Sequence, residues 1–225
     1  GMHMSPEFGL TYKEIEKDGF KINKKIEMLI SADTPTAIGK STGMGIIGFS
    51  DTFDDLNPDI IIITGDRYEA FSASVSALFA NKPVLHIHGG EITSGAYDDA
   101  MRHSISKMSY WHFVANDVYK NRVIQLGEEP SRVLTVGGLG VDSIKKSRLL
   151  DKKILEEKIG FKFGKKNLLV TYHPTTLDHN SSKKDFHQLL LALSNQKDTK
   201  IIFTYSNSDT DGRIINQMID NYVSE

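Results

Sequence analysis

The sequence predicts an α/β protein built on a parallel, doubly wound sheet. Three observations carry this prediction. Short apolar, β-branched segments alternate with longer helical segments along most of the chain. A continuous apolar run, 59–64, is typical of a strand that is covered on both faces. Strands that are separated by helices require crossover connections, which are right-handed in parallel sheets.

The first four predicted strands and the helices between them lie within 59–136. Pro58 and Gly65 bound the first strand, which contains four consecutive isoleucines. The segment after it is rich in Ala and Ser, so its helix is expected to pack closely on the sheet. Asn116 or Asp117 is expected to cap the third helix of this region. The predicted strands are 59–64, 83–88, 111–115 and 132–136, and the predicted helices are 68–80, 98–108 and 117–126.

A second, smaller α/β region follows a change in composition. The Lys-rich segment 145–166 predicts a mostly helical connector. The strands predicted after it are 167–172 and 200–204, and the helices are 182–194 and 212–222. Two strands and two helices make a poor independent sheet. We therefore expect two domains, 1–145 and 146–225, of which the second is incomplete in this chain.

One segment ahead of the first strand predicts irregular structure. Residues 31–48 are rich in glycine and include Thr34-Pro35-Thr36. This composition predicts a flexible loop that leads into a helix over 49–56.

The composition excludes several classes of function. Apolar residues make up 39% and charged residues 25% of the 225 residues, which is ordinary for a folded globular chain. The net charge of −2 gives no general electrostatic reason to hold a nucleic acid or an anionic membrane. The absence of cysteine excludes disulfides, zinc–thiolate sites and a catalytic thiol. Because no apolar run approaches membrane-spanning length and the first residues are not a signal peptide, the sequence predicts a cytoplasmic protein.

Titratable side chains follow several predicted strands directly. Ligands of open α/β sheets bind beyond the carboxyl ends of the strands. Asp66 follows the first strand, and it either caps the next helix or acts as an acid or base. Arg67 beside it is either a surface cation or a phosphate ligand. The other strand ends carry His88 and Glu91, His173, and the pair Asn207 and Asp209.

Two histidines lie close together in the second strand. His86 and His88 are two residues apart and would share one face of a strand, but no third ligand has metal-site spacing. We therefore expect no metal site, and we expect His86 to be a core histidine. Gly89 and Gly90 let a ligand approach the backbone closely. Glu91 after them is either a solvated loop residue or part of a built site.

An acidic pair begins the predicted helix 98–108. Asp98 and Asp99 precede Arg102 and His103 by one turn. The structural alternative is a cap with two i,i+4 ion pairs, Asp98 with Arg102 and Asp99 with His103. The functional alternative is that these side chains belong to a catalytic or ligand-binding site.

The chain resembles the hydrolysing UDP-N-acetylglucosamine 2-epimerases of bacterial sialic-acid pathways. The resemblance begins at GDR (65–67), HIHGGE (86–91) and DDAMRH (98–103). It continues through VGGLGVD (136–142) and TYHPTT (171–176). Together with the first nine residues, these segments extend the resemblance over essentially the whole chain.

This resemblance implies two Rossmann-like domains of the glycosyltransferase-B type that bind a UDP-sugar. It also implies that the chain lacks the first βα unit and most of the second domain. We therefore expect the chain alone to bind UDP weakly and not to turn over. We expect no cofactor and no metal, because nothing in the sequence demands a metal or a nicotinamide, and the resemblance implies a homodimer or a homotetramer.

The implied reaction converts UDP-N-acetylglucosamine and water to N-acetylmannosamine and UDP. UDP leaves C1 while a proton leaves C2, and the resulting glycal then adds water. One alternative is the same reaction on UDP-N,N'-diacetylbacillosamine. The other alternative is a non-catalytic module that binds a nucleotide sugar.

By position, the resemblance implies catalytic roles for Asp66, Asp98 and His173. Some relatives carry a catalytic glutamate after the second strand, where this chain has His88. Either His88 or Glu91 therefore takes that role. The implied substrate-binding residues are Arg67, Gly89, Gly90, Arg102, Asn207 and Asp209.

Overall fold

A computed structural model of the chain describes residues 1–177 and 181–224, and it divides into two compact units. The first unit is Gly1–Gly138 and the second is Leu139–Glu225. The predicted boundary between 145 and 146 lies inside a helix of the second unit, Leu139–Lys146. Each unit has a sheet of its own.

The first unit alternates strands and helices, as the sequence predicts. Its helices are Tyr12–Lys17 (α1), Pro35–Leu56 (α2), Tyr68–Phe79 (α3), Asp98–Lys107 (α4) and Asp117–Gln125 (α5). Its strands are Ile61–Thr64 (β1), Val84–Ile87 (β2), Trp111–Val114 (β3) and Val133–Thr135 (β4). From β1 to β4, every predicted element is present, and each end falls within two residues of its expected position.

The strands of the first unit form a parallel sheet in the order β1-β2-β3-β4. Thr64 pairs with Ile87, and Ile87 pairs with Phe113, so the carboxyl ends of these strands are level. Because each strand lies beside the next one in the chain, right-handed crossovers place α3, α4 and α5 on the same face. The side chains buried beneath that face include Ile61, Ile63, Val84, His86, His112 and Val114.

The opposite face of this sheet is partly exposed, so the expectation that the first strand is covered on both faces is wrong. Ile62 is 64% exposed, whereas Ile61 and Ile63 are buried. Successive side chains of a strand point to opposite faces, so the isoleucine run has only one buried face. An apolar run identifies the strand but does not by itself report how many of its faces are covered.

Helix α2 is a single long helix where the sequence predicts a loop followed by a short helix. The Thr34 side chain caps it by accepting a hydrogen bond of 3.2 Å from a backbone N–H of the first turn, and Pro35 takes the first helical position. Two of its glycines, Gly45 and Gly48, are packing positions, whereas Gly39 and Gly43 have open space around them. A Cβ at Gly45 would lie 2.8 Å from the hydroxyl of Ser72 in α3, so only glycine lets these helices approach so closely.

The second unit is smaller and contains its own sheet and core. Its helices are Leu139–Lys146 (α6), Lys152–Ile159 (α7), Ser182–Ser194 (α8) and Gly212–Ser224 (α9), and its strands are Lys166–Val170 (β5) and Thr199–Phe203 (β6). Strands β5 and β6 pair in parallel. The core residues of α8 and α9 are Phe186, Leu190, Leu193, Ile215 and Ile219. None of the helices in 1–177 and 181–224 combines the length and the apolar character needed to cross a membrane.

Candidate functional site

Polar residues follow β1 and β2 where these neighbouring strands end. The Gly65 N–H donates to the Ile87 carbonyl over 3.0 Å, which extends the pairing one residue beyond β1. Gly65 has a φ of +80°, a left-handed conformation that glycine adopts without strain. The chain turns at this point. Asp66 and His88 therefore begin the loops at adjacent strand ends.

A buried arginine holds the carboxylate of Asp66. Arg102 on α4 is 5% exposed, and its Nη2 contacts Asp66 Oδ2 and, at 2.8 Å, the Thr93 hydroxyl. Its Nη1 lies 3.8 Å from Asp99 Oδ1 and makes no hydrogen bond within the described residues. A buried charge is tolerated only beside its counter-charges, so loss of either carboxylate would leave Arg102 poorly compensated.

The ion pairs of α4 differ in part from the predicted ones. Asp99 lies 3.6 Å from Nε2 of His103, as predicted. The predicted pairing of Arg102 with Asp98 is wrong, because Arg102 reaches across to Asp66 instead. Asp98 is half-buried at the first position of α4, after the cap residue Tyr97.

A histidine and a glutamate form a second pair after β2. Nδ1 of His88 lies 2.9 Å from Oε1 of Glu91, and the side chains are 25% and 33% exposed. Where the Glu91 carboxylate is the acceptor of this contact, Nδ1 of His88 donates, and the neutral tautomer that does so has Nε2 as an acceptor. His88 has a φ of +67°, which is uncommon for a residue with a side chain.

Close packing explains why glycine occupies the two positions after His88, Gly89 and Gly90. A Cβ at Gly89 would lie 2.9 Å from the hydroxyl of Ser106. Gly90 has a φ of +80°, and a Cβ there would clash with the Tyr119 carbonyl. Both positions therefore require glycine for reasons internal to the fold. Their role in substrate binding stays a prediction.

Arg67 contacts residues of its own segment. Its Nε donates to Oε2 of Glu69 over 3.3 Å, and its guanidinium lies 5.5 Å from the ring centroid of Tyr68. Arg67 also occupies the cap position of α3. The alternative in which Asp66 caps this helix is therefore wrong, and Asp66 is instead committed to Arg102.

His86 is confirmed as a core histidine, and both of its ring nitrogens are engaged. Nε2 lies 2.8 Å from the Gly65 carbonyl, and Nδ1 lies 3.1 Å from Oγ of Ser106. Burial lowers the pKa of His86 to about 4, although the hydrogen bond to Gly65 opposes this shift. The ring is therefore neutral near pH 7.

The histidines considered as metal ligands are thus bonded elsewhere. His86 contacts Gly65 and Ser106, and His88 contacts Glu91. Within the two described ranges, no group of three or more His, Asp or Glu side chains is arranged to hold a metal ion.

The second unit carries the remaining predicted residues in the loops after β5 and β6. His173 follows β5 and is exposed. Oδ1 of Asn207 accepts a hydrogen bond of 3.1 Å from the backbone N–H of Asp209, which closes a turn after β6. The Ser206 hydroxyl donates to the Tyr172 carbonyl over 2.7 Å, so the two loops are joined.

Sequence reasoning missed three residues that support these loops. Thr93 bonds Arg102, Ser106 bonds His86, and Asn216 accepts a hydrogen bond of 2.7 Å from the backbone N–H of Ser206. Ser106 had a signal in the sequence, because it lies one helical turn after Arg102 and hence on the same face of α4. Thr93 and Asn216 had none, since neither belongs to a motif.

Fold and candidate site together define the class of protein: a parallel α/β protein with charged groups at the carboxyl ends of neighbouring strands. Its family follows from the whole sequence. A sequence profile described as UDP-N-acetylglucosamine 2-epimerase matches residues 1–225. The chain belongs to the UDP-N-acetylglucosamine 2-epimerase family.

Several curated proteins are similar to the chain over nearly its whole length. It is 47% identical over 222 residues to a Campylobacter jejuni protein named GDP/UDP-N,N'-diacetylbacillosamine 2-epimerase (hydrolyzing), covering 99% of the chain and 58% of that protein. It is 34% identical to the Legionella pneumophila UDP-N,N'-diacetylbacillosamine 2-epimerase (hydrolyzing), covering 99% and 59%. A Neisseria meningitidis UDP-N-acetylglucosamine 2-epimerase is 31% identical, with coverage of 100% and 58%. The chain thus spans less than two thirds of the length of these relatives.

Solved structures share the fold. The UDP-GlcNAc 2-epimerase of Neisseria meningitidis bound to UDP-GlcNAc superposes with a TM-score of 0.77 at 21% identity, covering 96% of the chain and 59% of that structure. The Methanocaldococcus jannaschii UDP-GlcNAc 2-epimerase in complex with UDP-GlcNAc and UDP gives a TM-score of 0.75 at 15% identity, covering 100% and 61%. The predicted fold class, α/β with Rossmann-like units of the glycosyltransferase-B type, is confirmed.

Proposed function

We propose that the whole protein is a hydrolysing 2-epimerase of a UDP-linked, N-acetylated amino sugar. One observation carries the proposal. Two charged pairs, Asp66 with Arg102 and His88 with Glu91, follow the adjacent ends of β1 and β2 in a chain that belongs to this family. Groups of these types suit the acid and base roles of the reaction, and they lie at the sheet edge where open sheets bind ligands.

The reaction has two halves, and water is its only co-reactant. In the first half, a base takes the proton from C2, the electron pair of that C–H bond forms the C1=C2 double bond, and the C1–O bond breaks with its electrons leaving on UDP. In the second half, water adds its hydroxyl to C1, and C2 receives a proton on the opposite face. Each half therefore needs a group that accepts a proton and a group that gives one.

The geometry favours His88 over Glu91 as the base that replaces the glutamate of some relatives. Glu91 fixes the proton on Nδ1, which leaves the Nε2 lone pair available for a substrate proton. The carboxylate also stabilises the imidazolium that forms when Nε2 accepts that proton. In this proposal His88 is catalytic and Glu91 is a positioning residue.

Asp66 and Asp98 are proposed as further acid–base groups, and His173 is proposed as a catalytic residue. The contact between Arg102 and Asp66 favours a role for Arg102 in orienting Asp66. Arg67, Gly89, Gly90, Asn207 and Asp209 are proposed as substrate-binding residues.

We propose UDP-N,N'-diacetylbacillosamine as the substrate to test first. The names of the Campylobacter jejuni and Legionella pneumophila relatives, at 47% and 34% identity, support this choice. UDP-N-acetylglucosamine, which the sequence resemblance places first, is the second candidate. Its support is the Neisseria meningitidis relative, at 31% identity.

The test is incubation of the whole protein with each UDP-sugar in D2O, followed by proton and phosphorus NMR. We expect free UDP together with a free 2-epimeric sugar that carries deuterium at C2, and faster release from the diacetylated substrate. The Asp66→Asn variant, purified in the same way, controls for contaminating hydrolases. Release of UDP without deuterium at C2 would reject the elimination mechanism. Binding of both sugars without any release would favour the non-catalytic module.

Assembly and location stay predictions. A homodimer or homotetramer is checked by light scattering of the whole protein, and a cytoplasmic location is checked by cell fractionation. Neither prediction enters the catalytic proposal.

A further inference from the structure

The buried His86 links the loop that carries Asp66 to helix α4. His86 is fully buried and lies between the Gly65 carbonyl, 2.8 Å from Nε2, and the Ser106 hydroxyl, 3.1 Å from Nδ1. Ser106 is also fully buried. These hydrogen bonds therefore connect Ser106 of α4, through the His86 side chain of β2, to the Gly65–Asp66 peptide bond.

The direction of each hydrogen bond follows from the groups involved. A carbonyl oxygen only accepts, so Nε2 of His86 must carry the proton that it donates to Gly65. In a neutral ring Nδ1 then has a lone pair, and the Ser106 hydroxyl donates to it. A single tautomer satisfies both contacts.

Helix α4 thus reaches the Gly65–Asp66 segment at two points. Arg102 and Ser106 are four residues apart and share one face of the helix. Arg102 contacts the carboxylate of Asp66, while Ser106 acts on the backbone through His86. We propose that His86 and Ser106 are positioning residues that hold the Gly65–Asp66 peptide, so that one helix fixes both the backbone and the side chain of Asp66. This inference rests on the proposed catalytic role of Asp66.

Gly89 supports the same arrangement. A Cβ at Gly89 would lie 2.9 Å from Oγ of Ser106 and 3.0 Å from Nδ1 of His86. A side chain at this position would press on the hydrogen bond between them. Glycine after His88 therefore preserves the hydrogen bonds Ser106–His86–Gly65, which we call the tether, whether or not it also contacts a substrate.

The sequence offers a selective probe of this peptide. Gly65-Asp66 is the single Gly-Asp pair in the 225 residues, so labelling with 1-¹³C-glycine and ¹⁵N-aspartate gives one carbonyl-to-amide correlation peak in the NMR spectrum of this chain. We compare Ser106→Ala with Ser104→Ala, an exposed serine two residues earlier on the same helix, and with His86→Asn. Ser106→Ala keeps the core histidine in place, so the comparison holds even if His86→Asn fails to fold.

We expect Ser106→Ala to move this peak and Ser104→Ala to leave it in place. In the whole protein, Ser106→Ala should lower kcat about tenfold, the loss that corresponds to one hydrogen bond, with little change in KM. That loss should vanish when Asp66 is already Asn, because both changes act on one group. A peak that stays in place in Ser106→Ala would overturn the tether itself, whether or not the protein is active. A kcat loss that persists in full beside Asp66→Asn would overturn the role through Asp66.

Absence of turnover in the unaltered whole protein on every UDP-sugar would reject the proposed function. It would also reject the catalytic purpose of the tether. The NMR comparison would still report whether His86 and Ser106 hold the Gly65–Asp66 peptide, so the two failures are distinguishable.

Discussion

Asp66 has a structural role in the fold and a proposed chemical role in the reaction. Its carboxylate is a counter-charge of the buried Arg102, and it is also proposed as an acid–base group. Its replacement therefore changes two measurable quantities, the rate and the stability.

We expect Asp66→Asn to lower turnover of the whole protein at least about a hundredfold, the lower range for loss of a general acid or base. The first unit should also lose stability, because Arg102 keeps its charge and loses a counter-charge. Steady-state kinetics measure the rate. Denaturant unfolding of the 225-residue chain, followed by the fluorescence of Trp111, its single tryptophan, measures the stability. Near-normal turnover would remove Asp66 from the catalytic residues.

His88 and Glu91 are separated by comparing two amide variants. His88→Asn removes the proposed base, fits the left-handed backbone of this position, and should lower kcat at least about a hundredfold. Glu91→Gln keeps an acceptor for Nδ1 but removes the charge that stabilises the imidazolium, so the loss of kcat should be smaller, on the order of tenfold. A larger loss in Glu91→Gln than in His88→Asn would reverse the assignment and make Glu91 the base.

His86 makes the stability of the first unit depend on pH. Burial lowers the pKa of His86 from 6.5 to about 4, so below pH 6.5 the unfolded chain binds a proton that the folded chain does not bind. Stability is therefore lost as the pH falls from 6.5 towards 4, by on the order of 2 kcal/mol between pH 7 and pH 5. Burial also lowers the pKa of His112, which acts in the same direction.

Unfolding at both pH values, followed by Trp111 fluorescence, checks this expectation. His86→Asn should reduce the difference between pH 7 and pH 5. His103→Gln, a change at a partly exposed histidine of α4, should preserve it. An equal difference in all three proteins would show that His86 does not cause it.

At the scale of the elements, the sequence predicts most of the sheet and misjudges one helix. The β1-to-β4 region is predictable because its apolar runs and helices alternate at regular spacing, and local pattern determines such elements. Helix α2 is not predictable in this way. Its glycines are typical of breakers in isolation, and only the neighbouring segments show that Gly45 and Gly48 are contact positions.

The position of the candidate site residues after the strands can be predicted from the sequence, whereas the partners in their ion pairs cannot. The rule for open sheets identifies Asp66, His88 and Glu91 from the sequence alone. The ion-pair partner of Arg102 depends on the direction in which its side chain extends from α4, which local sequence does not determine. Helical spacing offers Asp98, yet Asp66 receives the contact.

Two glycines of α2 give a matched test of helix packing. Gly43 has open space around its position, so Gly43→Ala should stabilise the first unit by roughly 0.5–1 kcal/mol through helix propensity. Gly45→Ala introduces a Cβ that would lie 2.8 Å from the Ser72 hydroxyl and should destabilise the unit. Both free energies of unfolding come from denaturant titration. A stabilising Gly45→Ala would mean that α2 and α3 separate easily.

At the scale of the whole molecule, each unit contains a core of its own. The first unit buries Ile63, Ala77 and Val84 together, and the second buries Phe186 and Ile215 together. A change in one core is therefore expected to act chiefly on its own unit.

We expect Phe186→Ala to destabilise the second unit by roughly 3–5 kcal/mol, the usual cost of removing a buried aromatic side chain. Amide exchange in α8 and α9 should become faster. The unfolding midpoint reported by Trp111, which lies in β3 of the first unit, should change little. An equal shift of the Trp111 midpoint would show that the chain unfolds as one cooperative block.

The left-handed backbone of His88 restricts what evolution can place there. At a φ of +67°, Gly, Asn, Asp and His are the tolerated residues, and other side chains cost about 1–2 kcal/mol. A saturation library selected for folding alone should therefore return a narrow set of residues at position 88. Replacing histidine by glutamate at this position therefore changes the preferred backbone conformation as well as the chemistry of the side chain. Lineages that made it would carry compensating substitutions in the loop that follows.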